Sequence, residues 1–453
     1  MNRLLLTFYG DDFTGSTDAL EQLSLADVRT VLFIEPPTQA QLRQFPGLQA
    51  VGVAGMTRSL TPEAMEKVLP PALRQLKKLG ARHVHYKVCS TFDSSPRIGS
   101  IGRVIDLAGR IFHGPFVPLL VAAPALGRFT IFGTHFARFG IGSRGAVHRL
   151  DRHPSISHHP VTPMTEADLS RHLAKQTRKK IALFDVLKLA LPEKEARAAL
   201  KQLLAEKPDV VLFDTLSADH LVRIGKWMDE FASSRQPFFS VGSSGVETAL
   251  AAHFMQGVQR NGPKPMIKRD SNRSSPKGPL LIGSGSCSPV TAGQIHWASQ
   301  HGFAGVPVSA FELASVRDGE IAIKRTVAQA VKILKSGRSV IVHTARKGPD
   351  RAVAAKLKTR TAEVLGSALG RILRGALEQT AVGRLCLAGG DSSSHAARAL
   401  GIQSVEMIAS LTPGAPLCRT HAPESPVDDM EIVFKGGQVG AEDYFEIVRG
   451  KRI

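Results

Sequence analysis

Short apolar runs alternate with amphipathic stretches along almost the whole chain, and that rhythm restricts the fold to the α/β class. LLLTFYG, TVLFIEP, AVGVAG, VHYKVC and PLLVAAPA each give way to Gly, Pro or polar residues. Between them lie STDALEQLSLAD and PEAMEKVLPPALRQLKKL, whose apolar positions recur at i, i+3 and i+4. Strands separated by helices predict a mostly parallel sheet covered on both faces. A long irregular segment, 127–164, interrupts the pattern, which resumes at KKIALFDVL and DVVLFDTLS and runs to PFFSVGSSGVETALAAHF. Residues 256–278 are rich in Pro, Gly, Ser and charge, with almost no apolar periodicity, and read as a linker. Beyond them a second series begins at PLLIGSGSCSPVTAGQIHWA. The expectation is two α/β domains, 1–255 and 279–453, with mostly parallel sheets facing a shared cleft.

Composition removes several function classes. No apolar run reaches the length of about 18 that a spanning helix needs. The N-terminus meets acids at once and lacks a signal-peptide cleavage site, so it reads as a first buried strand. Cys89, Cys287, Cys386 and Cys418 are far apart and form no CxxC, which fits a reduced cytoplasmic enzyme better than a disulfide scaffold or a zinc site. The net charge of +19 invites a nucleic-acid reading, but Lys and Arg are scattered and only 6% of residues are aromatic. A basic surface equally suits small anionic substrates. Neither a membrane nor a nucleic-acid partner is expected; homo-oligomerisation stays open.

The first apolar run ends in Gly10, Asp11 and Asp12, followed by Thr14, Gly15 and Ser16. In open α/β sheets the carboxyl end of a strand is where ligands bind. A pair of acids there can accept hydrogen bonds from a polyol, hold a cation, or take a proton from a reacting hydroxyl. YKVCSTFDSSPRIGSIGR also follows a strand and carries Lys87, Ser90, Thr91, Asp93, Ser94, Ser95 and Arg97. Arg128 follows another strand end. Cations neutralise carboxylates while hydroxyls and Asp93 pair with hydroxyls, a mixture suited to a small acidic polyol.

Three glycine- and serine-rich turns in the second domain suit phosphate. Ser284, Ser286 and Ser288 belong to the first; Gly389, Gly390, Asp391 and Ser392 form the second; Gly436, Gly437 and Gly440 lie in the third. Glycines admit close approach, and the free N–H groups of a helix start favour anions. There is no G-x-x-x-x-G-K-[ST] loop. GSGSCS resembles a dinucleotide fingerprint, but the next strand ends in Ser309 and Ala310 and supplies no acid for a ribose, which weakens an NAD(P)-dependent oxidoreductase reading. His153, His158 and His159 lack metal-ligand spacing, and neither GSSG nor GDSSS is a nucleophile elbow. A basic ligand-binding protein without catalytic activity is the remaining alternative.

Read together and in order, these segments resemble the four-carbon acid sugar kinase family. YGDDFTGSTDA is similar to that family's (A)DD-x-TG-[AS]-x-D opening, and Lys87 to Arg97 matches its K-x-x-STLRG segment in position. GRFTIFG, LDRHPSISHHPV, VLFDTLSADHL and VGSSGVETAL follow its later first-domain elements. GSGSCSPVTAGQI, AGGDSSSHAARALGI, LTPGAPL and FKGGQVG resemble its second-domain elements. The resemblance implies a sugar-acid domain followed by an ATP domain, and ATP-dependent phosphorylation of a sugar-acid hydroxyl with Mg²⁺ shared between phosphate oxygens and water. Under it, Asp12 is the first choice to orient or deprotonate that hydroxyl, with Asp11 beside it. Lys87 with Arg97 or Arg128 would meet the substrate carboxylate. The chain departs from the family at STFDS, which lacks the arginine of STLRG, at GRFT, which brings in Phe129, and at GGDS. These departures point to a branched or oxo acid, such as the 3-oxo-isoapionate handled by one branch of the family.

Overall fold

The computed structural model describes residues 4–141, 145–159, 161–256, 278–344, 357 and 360–450. Apart from its two end residues, the expected linker lies outside the described residues. The first half contributes β1 (Leu6–Gly10), β2 (Thr30–Phe33), β3 (Ala50–Ala54), β4 (His83–Lys87), β5 (Val117–Leu120), β6 (Arg128–Ile131), β7 (Thr134–Arg138), β8 (Val147–Arg149), β9 (Ile181–Phe184), β10 (Val210–Phe213) and β11 (Phe238–Gly242). The second contributes β12 (Leu280–Ser284), β13 (Ala304–Pro307), β14 (Val340–His343), β15 (Arg384–Ala388), β16 (Ser404–Thr412), β17 (Ala415–His421) and β18 (Glu431–Lys435).

In the first half, β2-β3-β1-β4-β11-β5-β10-β9 pair in parallel throughout. In the second, β13-β14-β12-β15-β18 do the same. The two arrays join edge to edge. β18 pairs antiparallel with β17, β17 with β16, and β16 with β2, so among the described residues one 15-stranded sheet runs through both halves. Six steps separate β1 from β15. A sheet twist of roughly 20–25° per step accumulates to about 120–150°. That rotation turns the oppositely directed arrays back toward each other.

Both faces of the sheet are buried, as a parallel sheet requires. Along β1, Leu6 and Phe8 enter one core while Tyr9 enters another on the opposite face. The first core also holds Phe13, Leu385, Leu387 and Phe434, so it is continuous across the two halves. The helix Pro62–Lys78 shows the expected spacing: Met65, Leu69, Ala72, Leu73 and Leu76 form its buried stripe, with Thr61 as N-cap and Pro62 in the first turn. The segment 127–164, expected to be irregular, instead contains the small antiparallel sheet β6-β7-β8. Its strands are short and alternate buried with half-buried residues, a weak signal in a segment rich in Arg, His and Pro.

Candidate active site

β1 lies between β3 and β4, so the chain leaves the sheet at a point where strand order reverses. Asp11 and Asp12 stand there, both buried. Asp12 has an extended backbone and caps the helix Phe13–Leu25, accepting from Gly15 N–H at 2.7 Å. Its carboxylate also accepts from Thr14 Oγ1 at 2.8 Å and pairs with Arg58 at 2.9 Å. Asp11 is poorly served by comparison. Oδ2 is 3.4 Å from Cys89 N–H, and among the described residues Oδ1 has no hydrogen-bond partner. Burial, with the adjacent Asp12 adding to it, pushes Asp11 up to about 8.

The loops after β3 and β4 bring the other charges. Arg58 reaches Asp12, lies 4.0 Å from Asp93, and pairs with Asp391 of the second half at 3.0 Å. Asp93 accepts from Thr91 Oγ1 at 2.8 Å; despite burial, His159 and Arg58 hold its carboxyl below the usual range. Thr91 and Ser90 are buried beside it, and the Ser90 carbonyl faces His135 Nε2 at 2.9 Å. Lys87 is fully buried, donates to the Val88 carbonyl at 2.9 Å and sits 3.7 Å from Asp18. Burial lowers it, but Asp18, Asp11 and Glu247 outweigh that and keep it charged. Arg128 is also buried; NH1 donates to the Arg138 carbonyl at 2.8 Å, Nε has no partner among the described residues, and burial pulls the group down to about 10. Arg97 is not brought into this group. It is exposed on the turn after Ser95, with its backbone N–H on Ser95 Oγ. The arginine that meets the acids is Arg58.

The three glycine turns follow β12, β15 and β18, and β12 marks the reversal of strand order in its array. They converge. A side chain on Gly437 would press on Ser288 at 3.0 Å and Ser286 at 3.3 Å, and one on Gly389 would meet the backbone N of Ser286 at 3.2 Å. Gly389 has φ +128°, a conformation reserved for glycine. The helices Pro289–Gln300 and Gly390–Ala399 start here without side-chain caps, leaving their first N–H groups available to an anion. Ser284 lies beneath the first turn, fully buried, and Ser392 is also buried. Gly440 stands apart: its positive φ and its close packing on the Tyr444 ring seat the last helix.

These turns meet the acidic turn across the seam. A Cβ on Gly390 would collide with Arg58 and lie 2.7 Å from Asp12 Oδ2, and one on Gly436 would lie 3.8 Å from Thr14 Oγ1. Phe13 N–H donates to Ser394 Oγ at 3.1 Å. An unpartnered carboxylate oxygen, an arginine shared between Asp12 and Asp391, and two uncapped helix starts are thus concentrated at one point. That combination can accept a proton from a hydroxyl and stabilise charge on a phosphoryl group.

Sequence reasoning assigned no role to Arg58, Asp18, Glu247 or Lys435, although Lys435 heads the third glycine turn. Lys435 carried a legible signal, since it ends an apolar strand as Lys87 does. Arg58 lay four residues beyond β3, on the same edge of the sheet as the acidic turn, but only the fold reveals its partners.

Two family models match the chain: a sugar-binding N-terminal domain over residues 6–250 and a nucleotide-binding C-terminal domain over residues 281–445. The chain is 42% identical to the 3-oxo-isoapionate kinase of Paraburkholderia graminis, covering 99% of this chain and 95% of that protein. It is 30% identical to the 3-oxo-tetronate kinase of Methylobacterium radiotolerans, covering 98% of each. Among solved structures, a protein from Salmonella typhimurium LT2 superposes with a TM-score of 0.71 at 26% identity, covering 99% of this chain and 98% of that one.

Proposed function

The chain belongs to the four-carbon acid sugar kinase family, and from that premise we propose how its two halves divide the transfer of a phosphoryl group from ATP to a sugar-acid hydroxyl. The protein is an ATP-dependent kinase of small sugar acids. In this reading the turns at 285–288, 389–392 and 436–437 cradle the phosphates. The substrate hydroxyl lies at Asp11, whose unpartnered oxygen takes its proton as the hydroxyl oxygen bonds to the γ-phosphorus and ADP leaves. Asp12 keeps the helix start and Arg58 in position. Arg58 exchanges Asp391 for the transferring phosphoryl group, and Lys87 and Arg128 give the first-half pocket the positive charge a carboxylate needs. Mg²⁺ would neutralise the phosphate oxygens; the nearby donors, serine hydroxyls and Asp391, are all oxygen, as that ion prefers.

The single observation that carries this reading is the pairing of Arg58 with both Asp12 and Asp391, which joins the anion-binding turns to the acidic turn. For the substrate, the 42% identity to a 3-oxo-isoapionate kinase supports a branched 3-oxo acid over a linear one. A coupled ADP-release assay over 3-oxo-isoapionate, 3-oxo-tetronates and unoxidised four-carbon acids tests it. The highest kcat/KM is expected for the branched oxo acid; a preference for the tetronates would reassign the substrate and leave the kinase chemistry intact.

A further inference from the structure

Lys435 ends β18 as Lys87 ends β4, yet the two lysines have opposite electrostatic surroundings. Lys87 is faced by Asp18, Asp11 and Glu247. Lys435 is fully buried, and among the described residues no carboxylate pairs with it. Its Nζ donates to Thr291 Oγ1 at 2.8 Å and to the Gly436 carbonyl at 2.9 Å, 5.6 Å from the centre of the Tyr444 ring. A buried ammonium without a counter-ion is costly.

Its position says what that counter-ion is. Lys435 immediately precedes Gly436 and Gly437. Its carbonyl accepts Gly389 N–H at 2.8 Å. Thr291, in the first turn of the helix after 285–288, also donates to the Gly437 carbonyl at 3.2 Å. Lys435 therefore stands where all three glycine turns meet.

We propose that Lys435 is the cation held in reserve for the nucleotide phosphates, and that the protein takes up a proton at Nζ when nucleotide binds. This rests on the nucleotide reading of the glycine turns. Burial pulls Lys435 down to about 7, so without nucleotide it is mostly neutral at pH 8. The titratable groups facing it are Cys386 on β15, which burial pushes up to about 12, and Tyr444 on the last helix, which burial also raises; both are neutral at that pH. The helix Pro289–Gln300 faces it with Thr291, which does not titrate. An adjacent phosphate favours the charged form and raises the lysine. Because nucleotide prefers the protonated protein, affinity is highest below about 7 and falls as pH rises, by about tenfold per pH unit until the bound-state value is reached.

The test is calorimetric titration of the full chain with Mg·ADP at pH 8, in two buffers of different ionisation enthalpy, which gives the protons taken up per nucleotide. ADP in magnesium carries no titrating phosphate proton at that pH. Wild type should take up most of one proton. Lys435→Arg, permanently charged, should bind without uptake, and Lys435→Met should bind at least about tenfold more weakly, also without uptake. Uptake that persists in Lys435→Arg overturns the proposal. If both variants fail to fold, Asp11→Asn decides, since it removes the neighbouring carboxyl that also titrates near 8: affinity that is flat between pH 7.5 and 8.5 overturns the proposal, and a fall of about tenfold supports it. Failure of wild type to bind Mg·ADP at all would instead overturn the nucleotide reading beneath it.

Discussion

Asp11 and Asp12 are neighbours with contrasting surroundings. Asp12 is saturated by Gly15 N–H, Thr14 and Arg58. Asp11 keeps an unpartnered oxygen in a buried setting. If Asp11 is the base, it must be ionised to act. Its value near 8 in the free protein then means that kcat/KM for the sugar acid rises as pH increases through about 8 and levels above it. A kcat/KM that is flat from pH 6 to 9 would remove Asp11 from the proton transfer. Arg58 joins Asp12 to Asp391, so Arg58→Ala should strand two acids, lower the melting temperature, and depress kcat by about 100-fold or more. At this scale the chain was only partly legible. The DD pair and Lys87 were visible because charge at the end of an apolar strand is unusual, and Asp93 because it lies in a run of cations and hydroxyls just beyond Lys87. Arg58 was not, because it sits in an ordinary short turn, Thr57–Ser59, and acquires its role from Asp12 in another loop and from Asp391, 333 positions away in the second half.

The helix Phe13–Leu25 carries the acidic turn at its start and Glu21 two turns later. Glu21 accepts from Gly414 N–H at 2.6 Å and Ser410 Oγ at 3.0 Å, tying the helix to the β16–β17 hairpin. Burial pushes Glu21 up to about 7. The folded value lies above the unfolded one, so the stability it confers is complete below about 4.5 and lost as pH rises through about 7. Glu21→Gln should therefore raise unfolding free energy at pH 8, by on the order of 2 kcal/mol in urea melts, with little gain at pH 4. An equal effect at both pH values would contradict the assigned ionisation. The glycine turns make a second prediction at this scale. Gly390→Val would drive a side chain into Arg58 and Asp12, so KM for ATP should rise sharply and thermal stability fall. Unchanged nucleotide affinity would mean the turn is only a connector. The turns were readable from glycine and serine spacing, and the strands from apolar runs. The β6–β8 sheet was not, because short half-exposed strands lack both signals.

Across the whole molecule, the unexpected feature is continuity. Two α/β arrays followed from alternation in the sequence, but their joining through β16 and β2 did not, because edge pairing between distant strands leaves no local pattern. Arg398 reinforces the join, donating to the carbonyls of Ile34 and Ala54 at 3.1 Å. With one hydrophobic core shared across the seam, thermal unfolding should appear as a single calorimetric transition; two resolved transitions would show independent halves. The seam is also where the chemistry is assigned, which makes the central claim open to one direct measurement. ADP release and ATP affinity are compared for wild type and Asp11→Asn, with saturating sugar acid and Mg·ATP. The account predicts that Asp11→Asn loses at least about 100-fold in kcat while binding ATP as wild type does. Wild-type turnover in that variant would contradict it.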